Sequence, residues 1–160
     1  MRPIVSAWWA GSGIFALESL IEARFTPHEL PDESSGRIHF IGLTFAHTAW
    51  PLPEGGYAGS QASFHEDRRQ EKQAPPRNMA PAAVTIDGAR GMSFQQCTFT
   101  HLGGSGLYYP MQCAESGALM SEFIDIGANG VMIGETFTRE KMVGGQKQND
   151  VTQRVGVNSC

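Results

Sequence analysis

The stretch Phe99-Thr-His-Leu-Gly-Gly-Ser-Gly-Leu-Tyr-Tyr109 recurs as Phe123-Ile-Asp-Ile-Gly-Ala-Asn-Gly-Val-Met-Ile133, with no gap in the alignment. A repeat of about 20–25 residues that contains strand-forming residues, glycines at fixed places and no helical period is typical of a β-solenoid. One unit cannot bury its apolar face alone, so stacked units share a continuous core. We attribute Gly103, Gly104 and Gly106 to turns that require a positive φ.

The same pattern extends in both directions along the chain. Residues 38–45 (Ile-His-Phe-Ile-Gly-Leu-Thr-Phe) match residues 92–99 (Met-Ser-Phe-Gln-Gln-Cys-Thr-Phe), and Val84-Thr-Ile86 matches Leu107-Tyr-Tyr109. Residues 155–160 resemble the opening of a further unit. We therefore predict an all-β fold, namely a right-handed single-stranded parallel β-helix (β-solenoid) of about three coils.

The composition is that of one turn-rich β domain spanning residues 1–160. Charged residues make up 18% of the chain, 19 residues are glycine, and the formal net charge is −4. The acidic balance argues against a nucleic-acid partner, and no apolar run is long enough to suggest a membrane span. The three cysteines lack metal-ligand spacing, and Cys97 lies at an inward strand position, which favours a buried thiol over a disulfide.

The N-terminal segment is predicted to be strand and turn. Arg2 followed by an apolar run is a pattern that signal peptides share, but Gly11-Ser-Gly13 interrupts the run. We favour a strand-and-turn segment over residues 1–17, at one end of the solenoid. Residues 20–25 are predicted to form a short strand, and the prolines and serines of residues 26–36 indicate a loop.

Two insertions interrupt the repeat. In the regular units a short turn joins the phenylalanine of one strand to the apolar start of the next, as from Phe99 to Leu107, whereas the interval from Phe45 to Val84 is several times longer. Residues 46–82 are therefore predicted to be a long inserted loop with a charged tip over residues 65–80, and residues 136–150 to be a second loop. Insertions in solenoids map to one face, which is often the binding face.

Strand alternation predicts one exposed wall beside the long loops. The middle residue of each matching strand should point outward, and its neighbours, such as Ile133, should point inward. The outward residues are Thr85, Tyr108 and Met132. Because adjacent strands lie about 4.8 Å apart, these side chains should form one column. A groove with aromatic side chains suits an extended polymer such as a polysaccharide.

A second column lies two positions after each phenylalanine and consists of His47, His101 and Asp125. Because His101 and Asp125 occupy equivalent places in successive repeats, we expect them to be neighbours in space. A histidine beside a carboxylate is suited to acid/base catalysis, since the carboxylate orients and charges the imidazole. The alternative is structural, because polar side chains in solenoid turns often satisfy backbone groups.

Carboxylates near this column are candidates for glycoside hydrolysis, which needs two carboxyl groups roughly 5–10 Å apart. Glu135 closes the strand after Asp125 and is expected near the same groove. Asp125 with Glu135, or either of them with Glu66 or Asp67 from the long loop, would supply such a pair. The chain has no phosphate-binding glycine loop, no Cys/His metal spacing and no Gly-x-Ser-x-Gly elbow, so we expect no cofactor and no metal.

At these residues the chain resembles bacterial right-handed parallel β-helix proteins, most closely those of glycoside hydrolase family 141. The segments that carry the resemblance are Gly42-Leu-Thr-Phe-Ala-His-Thr-Ala-Trp50, Gly56-Tyr57 with Gln61, Cys97-Thr-Phe-Thr-His-Leu-Gly-Gly-Ser-Gly-Leu107, and Phe123-Ile-Asp-Ile-Gly-Ala-Asn-Gly-Val-Met-Ile-Gly134. The His-Thr-Ala-Trp segment is the most specific of them, and the resemblance covers roughly residues 17–135.

The resemblance implies an enzyme with fucosidase or xylanase activity on plant or microbial polysaccharide, in an extracellular or periplasmic location. It also implies a chain several times longer, of which this one would be a fragment. The residues that we predict to be catalytic are Asp125, Glu135 and His101. The residues that we predict to bind substrate are Trp50, Tyr57, Gln61, Tyr108 and His47.

Two other functions stay open, a polysaccharide lyase and a non-catalytic β-helix module that binds glycans or acts as a spacer. Polygalacturonase-like β-helices carry aspartate before the glycine of the stacked strands, where this chain has Ser105 and Asn129. Pectate-lyase-like sites hold calcium with stacked acids, and this chain has no such column. An uncapped solenoid exposes a sheet edge and apolar core, so end-to-end self-association is a further expectation.

Overall fold

The computed structural model describes residues 4–7, 21–24, 37–50, 57–61, 64–67, 78–135, 140–149 and 151–160. Over these residues the protein is all-β and contains no helix. Its strands in chain order are β1 (Ile4–Ala7), β2 (Ile21–Arg24), β3 (Ile38–Ile41), β4 (Thr44–Thr48), β5 (Tyr57–Gln61), β6 (Phe64–Asp67), β7 (Asn78–Met79), β8 (Ala82–Asp87), β9 (Met92–Gln95), β10 (Thr98–Leu102), β11 (Ser105–Tyr109), β12 (Ala114–Leu119), β13 (Glu122–Ile126), β14 (Val131–Ile133), β15 (Glu140–Val143), β16 (Gln146–Asn149) and β17 (Gln153–Asn158).

Three sheets of parallel strands contain the repeat. Sheet A has the order β1-β2-β8-β11-β14, sheet B the order β17-β12-β9-β3, and sheet C the order β13-β10-β4. Among the described strands of these sheets, only β1, at the edge of sheet A, pairs in the antiparallel sense. From β3 onward the chain passes from sheet B to sheet C to sheet A and then returns to sheet B. From β3 onward, successive strands of the repeat therefore lie in different sheets, and only the strands of the two insertions depart from this order.

The register of these sheets is the register of the sequence repeat. Phe99 pairs with Phe123 on one side and with Phe45 on the other. Leu107 pairs with Val131, and β3 lies beside β9 in the predicted alignment. β17 continues sheet B next to β12, as expected for the opening of a further unit. The predicted correspondence between repeats is thus confirmed at the level of individual residues.

Phenylalanine rings fill the centre of the core. Phe45, Phe99 and Phe123 stack face to face with centroids 4.8 and 4.7 Å apart, and Phe40 stacks on Phe94 at 4.7 Å. Phe94 meets Phe99 edge to face at 5.8 Å, and both rings are fully buried. Parallel strands in this register bring equivalent side chains one strand spacing apart, so the sequence repeat generates the ring stack.

Small side chains with one hydrogen-bond donor join neighbouring repeats at the turns. Ser121 Oγ accepts the N–H of Cys97 at 3.1 Å and donates to the carbonyl of Phe94 at 3.2 Å. At another turn, Cys113 Sγ donates to the carbonyl of Ile86 at 2.9 Å. The thiol therefore serves as a buried donor in the same role as the serine hydroxyl. All three cysteines are free, and the prediction that Cys97 is a buried thiol is confirmed.

The glycines of the central repeat are required for a physical reason other than the one predicted. Gly103, Gly104 and Gly106 do not have a positive φ, so that prediction was wrong. A Cβ atom on Gly106 would lie only 2.6 Å from the carbonyl oxygen of Gly130, and one on Gly104 would collide with the carbonyl oxygen of Pro81. These positions need glycine because backbone segments approach each other too closely for any side chain.

The inserted segments contain strands that the sequence pattern did not predict. Within the first insertion, β5, β6 and β7 form a small antiparallel sheet, and β15 and β16 form an antiparallel hairpin within the second. These strands pair only with their sequence neighbours, so the repeat carries no signal for them. Most of the charged tip over residues 65–80 lies outside the described residues.

The N-terminal predictions are tested in part. β2 confirms the short strand expected over residues 20–25, and β1 pairs with it in the antiparallel sense. The remainder of residues 1–17 and the loop expected over residues 26–36 lie outside the described residues.

Replacing Phe99 with alanine is expected to lower the free energy of unfolding by about 3–5 kcal/mol, because it opens a cavity inside the ring stack. Urea denaturation followed by circular dichroism measures this change. Ile41→Ala is the control, since the Ile41 side chain is 58% exposed and should change stability by no more than about 0.5 kcal/mol. Equal losses in the two variants would contradict the ring stack as the centre of the core.

Replacing Ser121 with alanine leaves the N–H of Cys97 without its acceptor, and we expect a loss of about 1–3 kcal/mol in unfolding free energy. Ser121→Cys keeps a donor and a weak acceptor at the same place, and Cys113 shows that a thiol can donate at such a turn, so this variant should retain more stability than Ser121→Ala. Thermal and urea unfolding of both variants checks this order, and a reversed order would rule out the bonding role.

Candidate functional site

Polar side chains form a column where β4, β10 and β13 approach their ends. The rings of His47 and His101 stack with centroids 5.4 Å apart, and His101 Nε2 lies 3.8 Å from Asp125 Oδ2. The hydroxyl of Thr100 lies 2.9 Å from His101 Nδ1. The predicted neighbourhood of His101 and Asp125 is confirmed, and His47 joins them despite the insertion that follows it. We call these three residues, His47, His101 and Asp125, the His–Asp ladder.

Backbone geometry explains part of the choice of residue types in this ladder. His47, His101 and Asp125 have φ values of 65°, 52° and 54°, all in the left-handed region. Among residues other than glycine, asparagine, aspartate and histidine are the types most enriched in that conformation. The left-handed backbone at these three positions therefore favours the residue types found there, and the parallel register of sheet C places the three side chains in one row. The alternative that these polar side chains have a structural role in the solenoid turns thus has a physical basis.

The ladder is open to solvent. The side chains of His101 and Asp125 are 61% and 71% exposed. An exposed ion pair contributes only about 0–1 kcal/mol to folding, so it adds little to the cohesion of sheet C. Its chemical capacity is larger, because an imidazole that donates and accepts protons stands beside a carboxylate that can orient it.

The carboxylates predicted to act with Asp125 lie either in another sheet or outside the described side chains. Glu135 follows β14 of sheet A and is partly buried, whereas Asp125 lies in sheet C. Glu66 and Asp67 lie in β6 of the first insertion, and their side chains are outside the described residues. Of the predicted catalytic residues, His101 and Asp125 are brought together.

The predicted exposed wall is covered. Thr85, Tyr108 and Met132 form one column as expected, but Tyr108 is 8% exposed and Met132 is 3% exposed. The hydrophobic residues that share this second core are Trp50, Met79, Ala80, Ala82 and Ala128. The prediction was wrong because the insertion packs on the outer face of sheet A. Ile133, predicted to point inward, is 49% exposed in β14 at the edge of that sheet.

The other predicted substrate-binding residues fall in three environments. Trp50 packs against the second core, and its ring lies 5.3 Å from the ring of His65. His47 is exposed in the His–Asp ladder. Tyr57 and Gln61 lie in β5, and their side chains are outside the described residues. Of the predicted binding side chains that the structure describes, only His47 is therefore placed on an open surface.

A charged cluster near the start of β12 and β17 was not predicted. Glu115 Oε1 lies 2.9 Å from Arg154 Nη2 and 3.5 Å from Arg90 Nη1. Two guanidinium groups thus share one carboxylate oxygen. The register of β12 with β17 places Glu115 beside Arg154. An alignment of the repeats extended across the second insertion would have found this pair.

The buried thiols are poor candidates for chemistry. Burial raises the pKa of the Cys113 thiol to about 11, and only the thiolate is a good nucleophile or metal ligand. Within the described ranges, no three histidine, cysteine, aspartate or glutamate side chains are grouped so that they could hold a metal ion.

Comparison with protein families, with curated proteins and with solved structures gives no match for this chain. The resemblance to glycoside hydrolase family 141 therefore rests on the quoted motifs and stays a prediction. Among the residues described, no helix is long and apolar enough to cross a membrane.

We expect one fast-reacting thiol in the folded protein at about pH 8, and three after unfolding. Cys160 is exposed, whereas Cys97 and Cys113 are each 1% exposed. With its pKa raised to about 11, Cys113 would be roughly 0.1% thiolate at that pH. A chromogenic disulfide reagent, with and without guanidinium chloride, counts the thiols, and Cys160→Ser should remove the fast reaction. Rapid reaction of more than one thiol in the folded chain would contradict the burial.

Proposed function

We propose that the three parallel sheets close into a right-handed parallel β-helix, in which each repeat adds one strand to each sheet. The proposal is supported by the strand order, because the chain returns to sheets B, C and A in a fixed sequence. Crossovers between parallel strands of one sheet are right-handed in about 98% of cases. The edge-to-face contact between the ring columns of sheets B and C is what a shared interior would require.

We further propose that this β-helix acts on carbohydrate outside the cytoplasm, as a glycoside hydrolase of plant or microbial polysaccharide. The observation that carries this proposal is the contact of His101 with Asp125 on an exposed ladder. A ladder that crosses three strands is on the order of 10 Å long, so a glycan lying along it would contact the ladder through more than one sugar. The quoted family resemblance gives the same reaction class.

In the proposed reaction His101 is the proton donor. Its proton passes to the glycosidic oxygen as the bond from that oxygen to the sugar breaks. Asp125 lies beside the imidazole and orients it. A water molecule gives its oxygen to the sugar and its proton to a second carboxyl group, for which Glu135 is our candidate.

A non-catalytic glycan-binding module is the second candidate function. The observation that favours it is the high exposure of the His101 and Asp125 side chains, because groups that transfer protons in catalysis act best where water is excluded. A row of hydrogen-bond donors and acceptors, spaced as the strands are, can bind sugar hydroxyl groups without catalysing a reaction.

Asp125→Asn is expected to slow the release of reducing sugar from xylan, or of aryl alcohol from aryl fucosides and xylosides, by about 10²–10⁴-fold. Asparagine tolerates the left-handed backbone at this position, so the variant should fold. Glu122→Gln, which removes an exposed carboxylate earlier on the same strand, is the matched control and should keep its activity. Circular dichroism verifies that each variant is folded.

Three other outcomes of this experiment separate the candidate functions. A folded and inactive chain that is retained on immobilised xylan, with retention lost in Asp125→Asn, would support the binding module. Ultraviolet absorbance from an unsaturated sugar product would identify a lyase. Activity and retention that are both unchanged in Asp125→Asn would remove the His–Asp ladder from either function.

A further inference from the structure

Three arginines lie where the strands of sheet B begin. Arg154 Nη2 lies 2.9 Å from Glu115 Oε1, and Arg90 Nη1 lies 3.5 Å from the same oxygen. Arg37, which directly precedes β3, is exposed. We call these residues, Arg37, Arg90 and Arg154 with Glu115, the arginine row. Three positive charges face one negative charge in this row, so its positive charge is in excess.

A glycine brings Arg37 into the row. The register of sheet B places Gly91 between Arg37 and Glu115. A Cβ atom on Gly91 would lie only 2.8 Å from Arg37 Cγ, so the side chain of Arg37 lies across this glycine. Because Gly91 has no side chain of its own, nothing on β9 separates Arg37 from the carboxylate of Glu115 at this end of the sheet.

Ion pairing within the row does little for the fold. The side chains of Arg90 and Glu115 are about one third exposed and that of Arg154 is 58% exposed, and exposed ion pairs contribute little to stability. Two guanidinium groups that share one oxygen also repel each other. A second anion would reduce that repulsion, and the planar fork of N–H donors on arginine suits a carboxylate or a sulfate group. The row therefore has the charge and the donors of an oxyanion site.

The length of the row indicates an extended ligand. Arg37 precedes β3 and Arg154 lies in β17, which are the two outer members of the strand order of sheet B. Three strand spacings separate them, or about 14 Å. One small anion cannot reach both ends of the row, whereas a polymer with repeated acidic groups can contact them together.

The next outward row of sheet B supplies groups that bind sugar hydroxyls. In register order, this row consists of His39, Ser93, Gly117 and Gly156. His39 Nδ1 lies 2.6 Å from Ser93 Oγ, and Gln95 Nε2 donates to the same hydroxyl at 3.1 Å. The two glycines have no side chains, so this row is low beside the longer arginines. Hydroxyl, imidazole and amide groups match the donors and acceptors of a sugar.

Nucleic acid fits this face less well. Proteins that bind single strands combine a basic groove with aromatic side chains on which the bases stack. At the outward positions of the four strands of sheet B, all of which the structure describes, the imidazole of His39 is the one aromatic ring. The formal net charge of −4 also opposes the approach of a polyphosphate.

We infer that the arginine row binds an anionic glycan. Its carboxylate or sulfate groups pair with Arg37, Arg90 and Arg154, and its hydroxyl groups contact the neighbouring row. The inference rests on the proposed function only in taking a carbohydrate as the partner. The arginine row belongs to sheet B and the His–Asp ladder to sheet C, so the two sites can be tested separately.

The probe is a heparin tetrasaccharide, which carries sulfate and carboxylate groups, titrated into the full chain in a calorimeter. Arg154→Gln should weaken binding about tenfold or more, because it removes a charge-assisted contact. Glu115→Gln should strengthen binding, since it removes the carboxylate that competes for two guanidinium groups. Lys147→Gln is the matched control and should leave the affinity within about twofold, because Lys147 pairs with Glu140 in a hairpin outside sheet B.

Circular dichroism verifies folding, and Glu115→Gln decides the question if Arg154→Gln does not fold. Binding of a desulfated tetrasaccharide would identify the carboxylate as the recognised group, and its loss would identify the sulfate. Asp125→Asn should bind the heparin tetrasaccharide unchanged, so a failure of the proposed hydrolase leaves this inference intact.

The inference is overturned by the absence of binding, or by an affinity that neither Arg154→Gln nor Glu115→Gln changes. Equal affinity for inorganic sulfate, polyglutamate or single-stranded DNA would also overturn it, because the row would then attract anions without recognising a glycan.

Discussion

Parallel pairing in one fixed register places each side chain beside its counterpart in the next repeat, and the main features of this protein follow from that constraint. The register stacks Phe45, Phe99 and Phe123, and it also stacks the residues at the turns. A shift of one residue would turn the ring column to the other face of sheet C. The ring stack therefore fixes the register, and the register aligns the His–Asp ladder. The cohesion of the core and the chemistry of the surface have one origin.

The parts of the fold that obey the repeat could be predicted from the sequence, and the parts that depend on the insertions could not. The contact between Phe99 and Phe123 is predictable because the two residues have matching neighbours in successive repeats. The burial of Tyr108 depends on Trp50 and Met79, which come from a segment with no counterpart in the other repeats. Alternation determines which face of sheet A Tyr108 occupies, but it cannot tell whether another segment covers that face.

The candidate site shows the same division. The proximity of His101 and Asp125 could be predicted, because both lie two positions after a phenylalanine of the stack. The left-handed backbone conformation of these two residues could not be predicted, since it depends on how each strand of sheet C leads into its turn. The role of Ser121 as a bonding partner of Cys97 was also hidden, because a hydroxyl and a thiol are rarely compared as equivalents. An alignment of the repeats that treats serine and cysteine as equivalent hydrogen-bond donors would have predicted the contact between Ser121 and Cys97.

We propose that the His–Asp ladder is the functional surface, and histidine side-chain NMR tests this claim most directly. Of the five histidines in the chain, His47 and His101 lie in the ladder, whereas His39 bonds to Ser93 on another face at 2.6 Å and serves as an internal reference. On titration with xylo-oligosaccharides and fucosylated oligosaccharides, we predict that the ring resonances of His47 and His101 move together while those of His39 stay in place. Saccharide-dependent shifts that spare both ladder histidines would contradict the claim.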